Sequence, residues 1–151
     1  MRDPLIEVRP ASAADAGAVA SLAGELAQSF PFSREMFDAS YPALIAHAAA
    51  CVLVAISGEQ VIGYLLGFSH GTFYANGPVG WVEELFVLSP HRGDGVGRAL
   101  MSAFERWAAA HGCALVALAT RRAKPFYLAI GYAESAAYLR KMLRNPGAGS
   151  W

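Results

Sequence analysis

The chain has little of what a metal centre or a disulfide framework requires. It has only two cysteines and four histidines in 151 residues. Cys51 and Cys113 each open an apolar run with no second ligand at metal spacing, so buried reduced thiols are expected. His47, His70, His91 and His111 are isolated and no zinc pattern is present, so no metal is expected. Charge of one sign is also missing. Twelve basic and twelve acidic residues give a formal net charge of +0. That balance argues against nucleic acid or an anionic membrane as the main partner. Although 55% of residues are hydrophobic, polar residues interrupt every apolar run before it reaches the roughly 18 residues of a membrane span. Met1-Arg2-Asp3-Pro4 lacks the basic-then-apolar layout of a signal peptide, so the expected compartment is the cytoplasm. No repeat or internal linker is visible. One domain over residues 1–144 is expected, with a loose tail over 145–151, and a chain of this size buries roughly two-thirds of its unfolded surface.

Periodicity supplies the elements. Leu5 to Arg9 alternates as a strand, and Ser12-Ala13-Ala14-Asp15 offers a capping box. Val19, Leu22, Ala23, Leu26 and Phe30 then share a helical face until Pro31. A second helical region covers about Ser33 to His47, with an interruption at Pro42. Cys51–Ile56 and Val61–Phe68 flank the turn Ser57-Gly58-Glu59-Gln60 as an antiparallel hairpin. Phe73 to Gly80 reads as a loop before a strand over Trp81–Val87. Val96, Leu100, Ala103, Phe104, Trp107 and Ala108 form the clearest helical stripe, which His111-Gly112 stops. Cys113–Leu118 reads as a strand parallel to its predecessor, because a helix carries the chain back. A short helix over about Arg122–Ile130 ends at Gly131, and Tyr132–Met142 supplies a last strand or strand pair. The order β-α-α-β-β-β-α-β-α-β predicts an α/β (α+β) fold with a mixed central sheet flanked by helices.

The most informative segment is Leu88-Ser89-Pro90-His91-Arg92-Gly93-Asp94-Gly95-Val96-Gly97-Arg98, which carries a strand through a glycine-rich loop into a helix. A helix start leaves backbone N–H groups unpaired and carries positive dipole, and glycines let a ligand approach the backbone closely. An anionic cofactor suits such a loop. The spacing fits neither the dinucleotide fingerprint nor the nucleoside-triphosphate loop, which ends in Gly-Lys-Ser/Thr. Val87-Leu88-Ser89-Pro90 followed by Arg92-Gly93-Asp94-Gly95-Val96-Gly97 resembles the acetyl-CoA-binding motif of the GNAT superfamily of N-acetyltransferases. Thr120-Arg121-Arg122-Ala123-Lys124-Pro125-Phe126-Tyr127-Leu128-Ala129-Ile130-Gly131-Tyr132 resembles that family's second signature, with Thr120 in place of the usual asparagine and an unusual Pro125. The element order resembles the family's over nearly the whole chain. Val82 to Gly93 also looks like the matching segment of spermidine/spermine N-acetyltransferases.

The resemblance implies acetyl transfer from acetyl-CoA to a primary amine in a direct ternary complex. It places the pantetheine arm beside Leu85, Phe86 and Val87, with a backbone N–H near Val87 polarising the thioester carbonyl. The amides from Gly93 through Asp94, Gly95, Val96 and Gly97 to Arg98 would hold the pyrophosphate after Arg92, and Arg98 or His91 would add positive charge. Tyr127 matches the tyrosine that protonates the departing thiolate. An unperturbed phenol titrates near about pKa 10, so it is a protonated donor at neutral pH. Adjacent Glu83 and Glu84 inside an apolar strand are costly without a purpose. Strand alternation sends Trp81, Glu83, Leu85 and Val87 to one face and Val82, Glu84 and Phe86 to the other. The family pattern then favours Glu83 as base, while Glu84 binds a cationic substrate or pairs with an arginine. The acceptor region, Gln28 to Tyr41, holds Phe30, Phe32, Met36, Phe37 and Tyr41, either core or the wall of an amine pocket. A small-molecule amine is the expected partner, with a protein N-terminus or lysine as the alternative acceptor. A non-catalytic acyl-CoA sensor or interaction module is the competing class, and the assembly is left open, a homodimer included.

Overall fold

The computed structural model describes residues 5–27 and 29–144. Five strands form one sheet in the order β1-β2-β3-β4-β5. They are β1 (Ile6–Pro10), β2 (Ala50–Ser57), β3 (Gln60–Gly71), β4 (Pro78–Val87) and β5 (Val116–Leu118). The first four are antiparallel neighbours, and β5 runs parallel to β4. The parallel pairing follows from α3 (Val96–Ala110), which returns the chain across the sheet. The β2–β3 turn closes at Gly58, whose φ of +63° suits a residue without a Cβ.

Helices α1 (Ala16–Leu26) and α2 (Arg34–Ala46) cover one face around Val19, Leu22, Tyr41, Val54 and Tyr64. Against the other face α3 buries Val96, Leu100, Met101 and Phe104, joined by Tyr127 from α4 (Lys124–Ala129). Phe104 is fully buried, a burial that contributes on the order of 1.5–3 kcal/mol. Its ring lies directly on Gly67, where a Cβ would collide with it.

Local chemistry explains the helix starts. Ser12 donates its N–H to Asp15 Oδ2 at 2.8 Å within the expected capping box, in a 3-10 turn that feeds α1. Arg9 Nη1 donates to the same oxygen at 2.7 Å. This bond, above all, holds the Asp15 carboxyl down at about 2. Ser33 caps α2 by accepting from the Met36 N–H at 3.2 Å.

Several expectations are corrected. The first helix ends at Leu26 rather than at Pro31, so Phe30 lies beyond it. The second runs unbroken through Pro42. The proline removes one helical hydrogen bond, and the turn survives because Tyr41 stacks on Phe37 and donates its hydroxyl to the Ser12 carbonyl at 2.7 Å. The expected last strand over Tyr132–Met142 pairs with nothing among the described residues. Its middle, Glu134-Ser135-Ala136-Ala137, is poor in β-formers and offers no apolar face for the sheet. Gln28 and the tail at 145–151 lie outside the described residues.

Candidate active site

The site arises where β4 and β5 part. They pair only from Gly80, Trp81 and Val82 to Val116, Ala117 and Leu118, and beyond Val82 they diverge around a cleft of about 970 Å³. Leu88 donates its N–H to the Ile62 carbonyl on β3. Backbone groups alternate along a strand, so Phe86 also turns its backbone to β3, while Leu85 and Val87 present theirs to the open edge. Arg92 Nε donates to the Val87 carbonyl at 2.9 Å, and its guanidinium lies 5.3 Å from the Phe86 ring centroid. The Arg92 side chain therefore braces the loop against the strand. The Phe86 side chain packs into the α1/α2 cluster. What remains accessible on this edge is the backbone of Leu85 and the N–H of Val87.

The expected separation of the two carboxylates is overturned by a β-bulge. Leu66 pairs with Glu84 and Gly67 with Val82, so Glu83 is the extra residue on β4. Alternation resets there. Val82, Leu85 and Val87 all pack with the α3 cluster, at a spacing of three and then two, whereas Glu84 and Phe86 point towards α1 and α2. Glu83 and Glu84 thus line the same cleft instead of facing opposite sides. Glu83 is exposed, and its Oε2 accepts the Trp81 Nε1–H at 2.8 Å. Glu84 is half-buried, and its Oε1 accepts the Tyr64 hydroxyl at 2.7 Å. Burial raises the Glu84 pKa and the Glu83 charge adds to that, with the Tyr64 bond opposing both. Burial also raises the Tyr64 phenol.

Tyr127 faces these carboxylates from α4 across the cleft. Its ring is held edge-on by Phe126 at 4.9 Å and Tyr132 at 5.8 Å between centroids. Its hydroxyl makes no hydrogen bond among the described residues, and burial raises its pKa, so the phenol is protonated and free to donate. Thr120 starts the turn into α4 by accepting the Ala123 N–H at 3.0 Å.

At the start of α3 the first intrahelical bond runs from the Ala99 N–H to the Gly95 carbonyl at 3.0 Å, leaving the amides of Val96, Gly97 and Arg98 without a partner among the described residues. Gly93 and Gly95 adopt φ of +88° and +85° with open space where a side chain would stand, so a ligand can approach there. Gly97 has a different cause. A Cβ on it would sit 3.1 Å from Phe126 Cζ, so this glycine lets α4 pack against α3. The Val96 side chain is buried in the core, while Asp94 and Arg98 are exposed at the loop. These open amides and the free β4 edge fit a long ligand with a phosphate group at one end and an amide-bearing arm at the other, the chemistry of acetyl-CoA.

The aromatic segment divides. Tyr41 is buried in the core, Phe37 packs against it and also borders the cleft, and Met36, Phe30 and Phe32, the last two about 40% exposed, line the cleft. Sequence reasoning missed Trp81 as a partner of Glu83, although the i, i+2 spacing on a strand carries that signal. It also missed Tyr64, which only the β3–β4 register brings to Glu84, and Arg121, Arg122 and Arg144, which reach the cleft from two places in the chain.

Comparison with known proteins agrees with this geometry. Among solved structures, an aminoglycoside N-acetyltransferase, AAC(6')-Iy in complex with CoA, superposes with TM-score 0.83 at 20% identity, covering 95% of this chain and 97% of the other. Glucosamine-6-phosphate N-acetyltransferase from Arabidopsis thaliana gives 0.82 at 19%, covering 93% and 99%. Ribosomal-protein-alanine N-acetyltransferase from Brucella melitensis gives 0.73 at 20%, covering 91% and 99%. At such identities these likenesses establish the shared fold. No curated protein sequence matches the chain significantly. A model of the acetyltransferase (GNAT) family matches residues 19–132, well over half of the sequence, and the chain belongs to that family.

Proposed function

We propose that this protein transfers the acetyl group of acetyl-CoA to the primary amine of a small molecule, both held together in the β4–β5 cleft. One observation carries the reading. The β4 bulge brings two carboxylates to one wall, opposite the Tyr127 hydroxyl, which has no hydrogen-bond partner among the described residues. Acetyl-CoA supplies an activated acyl group on a thiol leaving group. The Val87 N–H polarises the carbonyl of that acyl group, and the unpaired amides of Val96, Gly97 and Arg98 hold the pyrophosphate. Glu83, exposed and oriented by Trp81, takes a proton from the acceptor's ammonium group directly or through water, and the neutral amine so formed attacks the carbonyl. Glu84, anchored by Tyr64, orients the nitrogen. Tyr127 returns a proton to the leaving thiolate.

Phe30 and Phe32 narrow the acceptor end, and the Arg144 guanidinium stands 6.0 Å from the Phe30 ring centroid. A compact acceptor fits this end better than an extended peptide does. Coenzyme A release measured over matched panels of small amines and peptides tests the reading. Turnover of small amines with higher kcat/KM than any peptide is expected. A peptide N-terminus or lysine exceeding every small amine would favour a protein acceptor, and no release with any amine would favour an acyl-CoA sensor.

A further inference from the structure

The cleft holds more positive charge than acetyl transfer to an amine requires. Five charged side chains line it: Glu83 and Glu84 from β4, Arg121 and Arg122 from the turn before α4, and Arg144 from the far end of the described chain. Three guanidinium groups thus stand with two carboxylates, in a chain whose formal net charge is +0. None of the three arginines makes an ion pair among the described residues. Arginines elsewhere are engaged. Arg9 is bound to Asp15 and Arg34 to Asp38, while Arg92 donates to the Val87 carbonyl and Arg106 to the Ser102 hydroxyl. The two carboxylates of the cleft do not neutralise its arginines either, since Glu83 accepts from Trp81 and Glu84 from Tyr64.

Phe30, Phe32 and Met36 give the same cleft an apolar wall. The Arg144 guanidinium lies 6.0 Å from the Phe30 ring centroid, a cation resting against an aromatic ring. Such a contact occupies the guanidinium plane and leaves its N–H edge to bind. Charge then decides what kind of amine fits. An acceptor bearing only ammonium groups adds like charge to a cleft that already has an excess of cations. An acceptor that brings its own anion removes the excess. Its ammonium group goes to the carboxylates, and its oxyanion goes to the guanidinium forks, whose parallel N–H donors match a carboxylate or a phosphate.

We propose that the acceptor is a small amine that also carries an oxyanion, a carboxylate or a phosphate, and that Arg121, Arg122 and Arg144 select it. The inference rests on the acetyl-transfer reading and names the acceptor class within it. On that reading the pyrophosphate of acetyl-CoA is served by the amides at the start of α3, which leaves these arginines to the acceptor. The apolar body of the acceptor lies against Phe30 and Phe32.

Kinetics on the full chain test this with ω-amino carboxylic acids and amino-alcohol phosphates of graded length. Each is run beside its neutral counterpart, the amide or the free alcohol, with diamines and spermidine as purely cationic members. The anionic members are expected to exceed their neutral counterparts by about 10-fold or more in kcat/KM, and the better of carboxylate and phosphate identifies the oxyanion. All three arginines are exposed, so the triple variant Arg121→Gln, Arg122→Gln, Arg144→Gln should keep its circular dichroism and a cooperative melt. In it the preference should disappear through a rise of about 10-fold in the KM of the anionic acceptors, with calorimetric affinity for acetyl-CoA changed less than about 3-fold. Equal rates for anionic and neutral members, higher rates for the purely cationic ones, or a preference that survives in the triple variant overturns the proposal. So does a loss of acetyl-CoA affinity in that variant, which would assign the arginines to the cofactor. Calorimetry of the same acceptors on the chain loaded with CoA separates this proposal from the enzymatic reading. Oxyanion-dependent binding that the triple variant loses, without turnover of any amine, supports the anion site and defeats the enzymatic reading. Turnover without oxyanion dependence defeats the anion site alone, and absence of both binding and turnover defeats both.

Discussion

Replacing Tyr127 by phenylalanine removes one oxygen from the centre of the cleft and little else. The ring is 9% exposed and clamped by Phe126 and Tyr132, and phenylalanine keeps both edge-on contacts. The hydroxyl has no hydrogen-bond partner among the described residues, so its loss strands no buried group. The stability change should accordingly stay within about 0.5 kcal/mol, and the melting temperature within about 2 °C. Turnover should respond very differently. General acid catalysis contributes on the order of 10²-fold at its low end, or about 2.7 kcal/mol of barrier. Coenzyme A release should therefore fall roughly 100-fold in kcat, while calorimetric affinity for acetyl-CoA changes less than about 3-fold. A fully active Tyr127→Phe enzyme would refute the acid role and return the residue to core packing. A variant that loses affinity and turnover together would make the hydroxyl a binding group instead.

The two carboxylates should separate kinetically: Glu83→Gln is expected to lower kcat and flatten the acidic limb of the rate profile, and Glu84→Gln to raise the amine KM. The opposite pattern in steady-state kinetics would reverse their roles. Gly95→Val places a β-branched residue at a φ of +85° and blocks the open amides, so the folded variant should lose acetyl-CoA binding in calorimetry. Gly67→Ala drives a Cβ into Phe104 and should destabilise the protein by about 1–3 kcal/mol, read by urea unfolding. The Asp15 carboxyl is depressed from 3.8 to about 2 by Arg9, so its contribution is present above pH 3.8 and is lost as pH falls towards about 2. Unfolding of Asp15→Asn should show a deficit against the native chain at neutral pH that vanishes over that window.

Much of this molecule is legible in its sequence because the relevant signals are local. The stripe from Val96 to Ala108 fixes a helix, the hairpin around Gly58 declares itself by a two-residue turn, and the strand–glycine–helix run locates the free amides of α3. What escaped depends on pairing between strands. Alternation alone puts Glu83 and Glu84 on opposite faces, and only the β3–β4 register, which skips Glu83, reverses that. Tyr64 lies twenty residues from Glu84, so nothing nearby in the chain announces their bond. The run after Tyr132 departs from its expected strand for a related reason. A strand needs a neighbour as well as β-forming residues, and the described residues provide none.

The early parting of β4 from β5 bears on the heat and timing of catalysis. A sheet interrupted this way at its parallel pair keeps a row of peptide groups in contact with water beside an apolar core. A ligand lying along that row exchanges hydration for main-chain hydrogen bonds while covering the flanking side chains, so its binding should carry a negative heat-capacity change. Until the row is filled, an acceptor amine faces an open floor. On the proposed reading the thioester substrate is expected to bind before the acceptor and its spent form to leave last, so that release from this gap would limit turnover.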